Sequence, residues 1–259
     1  MEKLKASGYA PVNGLQMYYE IYGEGDIPLV LIHGGGSTIE STFGVLIPLL
    51  CANNKVIAIE LQAHGRTTDR DAPETFEQDA DDVAALLQFL KVEKANVLGF
   101  SNGGTATMQV AIRHPKLVNK ILVISGAYQK EGFVPGLFAG MEHANLSHLP
   151  KPLHTAFLAV TPDEKQLKNM FDKDVYRMLH FKDFPDDALP SIKAPALFIS
   201  SDRDVILAEH TLKMSQLVPG ARLIILPGPH GACIGAVEVP KIEGLPGITA
   251  ALVENFLAE

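Results

Sequence analysis

Apolar positions along the chain gather into short unbroken runs, separated by longer stretches with helical spacing. The runs "PLVLIH" (28–33), "KVIAIE" (55–60), "ANVLGF" (95–100), "KILVIS" (120–125), "PALFIS" (195–200) and "RLIILP" (222–227) are continuous and mostly β-branched. Strands buried on both faces of a parallel sheet have this pattern. The opening stretch differs. "SGYAPVNGLQMYYEIYG" alternates apolar and polar residues around Asn13-Gly14, a dipeptide suited to a hairpin turn with two positive φ angles. Helices are predicted over 75–90, where Thr75 and Gln78 have capping-box spacing, and over 102–114, which Pro115 ends. Two more are predicted over 208–217 and 247–258. Strand–helix alternation of this kind predicts an α/β fold, a mostly parallel central sheet with helices on both faces.

One interval breaks the alternation. Residues 128–190 hold no convincing strand, but they carry Phe133, Leu137, Phe138, Met141, Phe157, Phe171 and Tyr176 among several prolines. A structureless loop of that length is improbable inside a compact domain. The expectation is a helical insertion over residues 128–190 serving as a lid, on a core made of residues 1–127 and 191–259. Insertions in open α/β sheets lie over the crevice at the carboxyl ends of the strands.

Composition narrows the partners. The 259 residues are 47% hydrophobic and 20% charged, an ordinary globular balance, and the formal charge is −8. A nucleic acid or an anionic membrane would need a basic face, so neither is expected as a partner; a small-molecule substrate is. The segment "MEKLKASGYAPVNG" lacks the apolar stretch of a secretory signal, and no apolar run is long enough to span a membrane. The expected location is cytoplasmic. Cys51 and Cys233 have no CxxC or zinc spacing and read as reduced thiols. No oligomeric state is legible in the pattern.

The chemistry centres on "NVLGFSNGGTA" (96–106). A lone G-x-S-x-G is weak evidence, but this one follows an apolar strand and opens an apolar-periodic helix, the setting that a nucleophile elbow requires. A tight turn there lifts Ser101 clear of the sheet, and the free N–H groups at the helix start point to the same place. A serine hydroxyl needs a base, an orienting acid and donors for an oxyanion. His230, in "ILPGPHGACIG", follows the last strand and is the candidate base; Asp202 and Asp204 both stand where the acid would. "LVLIHGGGS" ends its strand in glycines that allow close backbone approach, so the N–H of Gly35 can pair with that of Asn102 as the oxyanion hole. That loop and Glu60 also raise a dinucleotide site, but the third glycine of G-x-G-x-x-G is absent, and no cofactor is expected. His143 and His148 are five apart rather than four, and no metal site is expected.

Taken together, "LIHGGG", "AHGRT", "GFSNGG", "SSDRD" and "PGPHG", in the order Ser, Asp, His, resemble the α/β-hydrolase fold superfamily in its small, capped, esterase-like form. The resemblance covers essentially the whole chain. It favours Asp204 over Asp202, because the family's acid stands three residues past the small residue ending its strand, here Ser201. It also implies that His33 and His64 hold loops. Ser201 where the family usually has glycine, Asn102 where methionine is more frequent, and "ELQ" before "AHGRT" are departures that bear on substrate rather than on the catalytic set. The implied activity is hydrolysis of a small to medium, mostly uncharged carboxylic ester through an acyl-enzyme. A lactonase or a carbon–carbon bond hydrolase on the same residues is the alternative, and a ligand-binding receptor with weak activity is another.

Overall fold

The computed structural model describes residues 4–259. Among them one sheet of eight strands runs in the order β1-β2-β4-β3-β5-β6-β7-β8. The strands are β1 (Ala6–Val12), β2 (Leu15–Tyr22), β3 (Leu29–Ile32), β4 (Val56–Ile59), β5 (Ala95–Phe100), β6 (Val118–Ile124), β7 (Ala196–Arg203) and β8 (Arg222–Pro229). The first two form the expected hairpin, Val12 facing Leu15 across Asn13 and Gly14, both at positive φ. β2 pairs β4 antiparallel, and every further pairing from β4 to β8 is parallel.

The helices are α1 (Ile39–Phe43), α2 (Ile47–Leu50), α3 (Phe76–Phe89), α4 (Asn102–Arg113), α5 (Leu137–Met141), α6 (Lys151–Val160), α7 (Glu164–Leu179), α8 (Ala208–Leu217) and α9 (Leu245–Ala258). Alternate residues of each buried strand feed two separate apolar layers. Val30 and Ile32 join Val83, Met108 and Met214 of α3, α4 and α8. Leu29 and Leu31 join Phe43, Leu50 and Val253 of α1, α2 and α9. Both faces being covered is what makes β3 to β7 nearly continuously apolar; β8 departs from the expectation, because it is the edge of the sheet and Ile225 is 40% exposed. Thr75 caps α3 by accepting from the Gln78 N–H, but the expected reciprocal bond is not made: the Gln78 amide donates instead to Asp82 Oδ1 at 2.9 Å, one turn on.

Two departures from the apolar pattern position the site. β7 continues past its apolar run through Ser200 to Arg203, and β8 continues to Pro229. The ladder therefore reaches the threshold of Asp204 and His230. In addition, β3 leads outward to β4 while β5 lies on its other side, so the strand order reverses between β3 and β5. A crevice opens at the carboxyl ends of strands at such a reversal. The long interval between β6 and β7 carries α5, α6 and α7, and its one β contact among the described residues is a single bridge from Phe133 to Ile206. Phe157, Leu167 and Met170 from this interval pack against Ala63 in the loop after β4. No helix among the described residues is long and apolar enough to cross a membrane. Cys51 and Cys233 are both buried and unbridged.

Candidate active site

Ser101 sits at φ 55°, ψ −120°, between the last residue of β5 and the first of α4. Side chains rarely occupy that conformation, which costs roughly 1–3 kcal/mol and persists only where the surroundings enforce it. Here the enforcement is packing. A Cβ on Gly99 would lie 2.0 Å from the Gly103 carbonyl oxygen, and one on Gly103 would lie 2.1 Å from that of Ile32. Helix and strands approach one another so closely that the turn can only rise outward, and Ser101 is carried with it. Its carbonyl starts α4 by accepting from the Thr105 N–H.

His230 and Asp204 converge on that serine. His230 Nε2 is 3.1 Å from Ser101 Oγ, and its Nδ1 is 2.6 Å from Asp204 Oδ1. A carboxylate accepts only, so Nδ1 carries the proton and Nε2 presents a lone pair to the hydroxyl. The Phe100 ring lies 4.6 Å from the imidazole and backs it. Asp204 is itself held: Oδ1 accepts from the Ile206 N–H at 3.2 Å, and Oδ2 from Ser125 Oγ at 2.5 Å and the Ser201 N–H at 3.2 Å. Burial works to raise the Asp204 carboxyl, yet the bond from His230, with those from Ser125 and Ile206, holds it below the usual carboxylate value. Asp202 is elsewhere. It accepts from the Gly228 N–H at 2.7 Å and stays exposed. Of the two aspartates, Asp204 alone is brought to the histidine.

Beside Ser101 opens a cavity of about 260 Å³, bordered by Gly35, Gly36, Asn102 and His230. Its apolar walls come mainly from the interval between β6 and β7, including Phe133, Leu137, Met141, Leu153, Phe171 and Met178. Phe157 and Tyr176 do not reach it: Phe157 is buried beneath, and Tyr176 is exposed. Among the described residues no lysine or arginine lines the cavity, and its one carboxylate is Asp174.

Asp174 belongs to a buried charge network that sequence reasoning missed. His64 Nδ1 faces the Gln62 carbonyl at 2.8 Å and Nε2 faces Asp174 Oδ2 at 3.0 Å, so both nitrogens must carry protons. Burial opposes that charge, but Asp174 and then Glu74 outweigh it and raise His64 to about 9. His33 contrasts: one nitrogen meets the Gly34 carbonyl, the other accepts from the Leu61 N–H, and burial with the adjacent His64 charge lowers it to about 3. Arg177, fully buried, bridges Asp174, Asp79 and Glu74. Burial raises Glu74 to about 8 and Asp79 to about 6 despite that guanidinium. Glu60, the other strand-end acid, is occupied by the backbone and side chain of Arg66.

The signs of these shifts predict a pH dependence of stability. His64 at about 9 in the fold, against an ordinary 6.5, stabilises fully below 6.5 and loses that contribution as pH rises through 9. Glu74, raised from 4.5 to about 8, keeps a proton that the unfolded chain releases, so stability also falls as pH climbs towards 8. Both groups therefore weaken the fold from pH 6.5 to 9, and Tm should drop by about 5–10 °C across that window. Glu74→Gln should flatten the slope. Calorimetry in which Tm held constant or rose from pH 6.5 to 9 would contradict this account.

Among the described residues, no group of three His, Cys, Asp or Glu side chains is placed to hold a metal ion. The alpha/beta hydrolase fold model matches residues 27–191; the chain belongs to that family and is a hydrolase. The human serine hydrolase BPHL is 27% identical over 239 residues, which cover 86% of this chain and 80% of that one. Among solved structures, the enol-lactonase from Burkholderia xenovorans LB400 superposes with a TM-score of 0.75 at 25% identity, over 97% of this chain and all of the other. The meta-cleavage product hydrolase CumD from Pseudomonas fluorescens IP01 does so with a TM-score of 0.80 at 18% identity, over 98% of each chain.

Proposed function

We propose that the protein is a carboxylesterase that cleaves small to medium, uncharged esters through an acyl-enzyme on Ser101. One observation carries the reading: the hydroxyl, imidazole and carboxylate of Ser101, His230 and Asp204 stand in one hydrogen-bonded line at the wall of an apolar cavity. Ser101 Oγ attacks the ester carbonyl carbon as its proton passes to His230 Nε2. Asp204 holds the tautomer that leaves Nε2 unprotonated at the start, and it stabilises the imidazolium that forms. The N–H groups of Gly35 and Asn102 receive the negative charge that develops on the carbonyl oxygen. As the tetrahedral adduct collapses, His230 returns the proton to the departing alkoxide. A water molecule deprotonated by the same nitrogen then attacks the acyl carbon; the acyl–Oγ bond breaks, His230 passes the proton to Ser101 Oγ, and the carboxylic acid leaves.

The interval 128–190 acts as the cap in this reading, supplying the apolar wall that excludes water and selects the acyl chain. No described lysine or arginine stands in that wall to pair with a negative charge, so acyl groups bearing one are disfavoured. A lactone is a cyclic ester and needs no further catalytic group, so lactone hydrolysis is the second reading; the likeness to an enol-lactonase supports it.

A p-nitrophenyl ester series, run beside a fluorophosphonate label, tests the proposal. Expected are labelling on Ser101, turnover of short and medium acyl chains, and kcat/KM at least about tenfold lower for a hemisuccinate than for a neutral acyl group of equal length. Labelling without turnover of esters or lactones would favour a ligand-binding role. An unlabelled Ser101 would remove the proposal altogether.

A further inference from the structure

Asp174 comes from α7, yet its carboxylate reaches Asn102, which carries one proposed oxyanion donor, and Gly36, the residue next to the other, Gly35. Oδ2 accepts from the Gly36 N–H at 2.5 Å and from His64 Nε2 at 3.0 Å. Oδ1 accepts from Arg177 and from the Asn102 side-chain amide at 3.4 Å. These donors come from the loop after β3, the loop after β4, the start of α4 and α7 itself. Two donors on each oxygen leave no ready lone pair for a substrate, although the side chain remains 13% exposed at the cavity wall. The Gly36 N–H is likewise consumed and cannot serve an oxyanion. What the bond does is fix the peptide plane that follows Gly35. Packing there is close: a Cβ on Gly35 would lie 2.6 Å from the Asn102 amide nitrogen and 3.2 Å from Asp174 Oδ2.

We propose that Asp174 is a positioning residue for the oxyanion hole: its carboxylate sets the Gly35–Gly36 backbone and Asn102 together, so that the hole is complete only while α7 is seated on the core. This rests on the esterase reading above. His64 and Arg177 neutralise the carboxylate and hold it ionised, burial notwithstanding, well below the usual range. The charge network thereby becomes the means by which the cap reaches the reacting carbonyl. A hydrogen-bonded anion grips a backbone N–H about twice as strongly as a neutral acceptor, and a preformed hole of this kind contributes to the transition state rather than to substrate binding.

The test compares Asp174→Asn, which keeps the volume and removes the charge, with Asp172→Asn, an exposed position on the same helix. Four readouts are needed: kcat per fluorophosphonate-titrated site, KM, affinity for an alkyl boronic acid that places an oxygen in the hole, and the Gly36 amide proton resonance. For Asp174→Asn, kcat per site should fall about 10²-fold, KM should stay within about threefold, and the boronate should weaken by a factor comparable to the kcat loss. The Gly36 amide should move upfield from a far-downfield wild-type position, while Asp172→Asn should match wild type throughout. A kcat per site within about threefold of wild type would overturn the proposal, because a purely structural residue changes the number of active sites and not their rate. A loss confined to KM would overturn it as well. If the variant does not fold, the wild-type Gly36 amide decides: an ordinary shift with rapid exchange would sever the tether. A wild type that neither labels nor turns over esters would remove the esterase reading, and the Gly36 resonance would then judge the tether by itself.

Discussion

Ser101→Ala is expected to lower kcat by about 10⁶, because the members of such a site act as a unit and removing the nucleophile removes the covalent route entirely. KM should change little, since the cavity walls are untouched. The measurement is steady-state turnover of the best p-nitrophenyl ester by protein free of host esterase; more than a few per cent of wild-type turnover would exclude Ser101 as nucleophile. The substitution also separates chemistry from folding. Alanine is as strained as serine at φ 55°, ψ −120°, so Tm should hardly move. Ser101→Gly would relieve that conformation at similar cost to activity, and it should raise Tm by several degrees. A serine placed there for stability would give the opposite ranking.

Much of the frame was legible because burial on both faces leaves strands few polar positions. The run "ANVLGF" predicts β5 to the residue, since all six residues are buried. The ends of β7 and β8 were not legible: from Ser200 to Arg203 the ladder is carried by backbone hydrogen bonds that any side chain permits. Ser101 and His230 could be picked out because their neighbours are punctuation, glycines and prolines whose conformational limits are local. Asp204 was separable from Asp202 only through the resemblance; in space, the separation comes from Ser125 and Ile206, whose donors turn one carboxylate inward. The network of His64, Glu74, Asp79, Asp174 and Arg177 had no such signature. Asp174 lies 110 residues from His64 and 138 from Gly36, and on its own helix it reads as one more solvated acid. Long-range charge pairing is written in the topology, which periodicity predicts only as a class.

The pair of aspartates yields the second large effect. In Asp204→Asn, the amide nitrogen can donate to His230 Nδ1, stabilising the tautomer whose proton sits on Nε2. That imidazole cannot accept from Ser101 Oγ, although the three side chains keep their places. The expected outcome is a fall in kcat of about 10⁴ with KM nearly unchanged. Raising the pH should recover part of it, because hydroxide can take the hydroxyl proton that the imidazole no longer accepts. Asp202→Asn should leave kcat within about threefold, because its carboxylate accepts from the Gly228 N–H, which an amide oxygen can also do, and otherwise meets the exposed Arg203 side chain at 3.8 Å. Titrating each variant with a fluorophosphonate before measuring rates confines the comparison to folded sites. Equal rates for the two variants, or a greater loss at position 202, would mean that the imidazole is oriented by something other than the carboxylate 2.6 Å from its Nδ1.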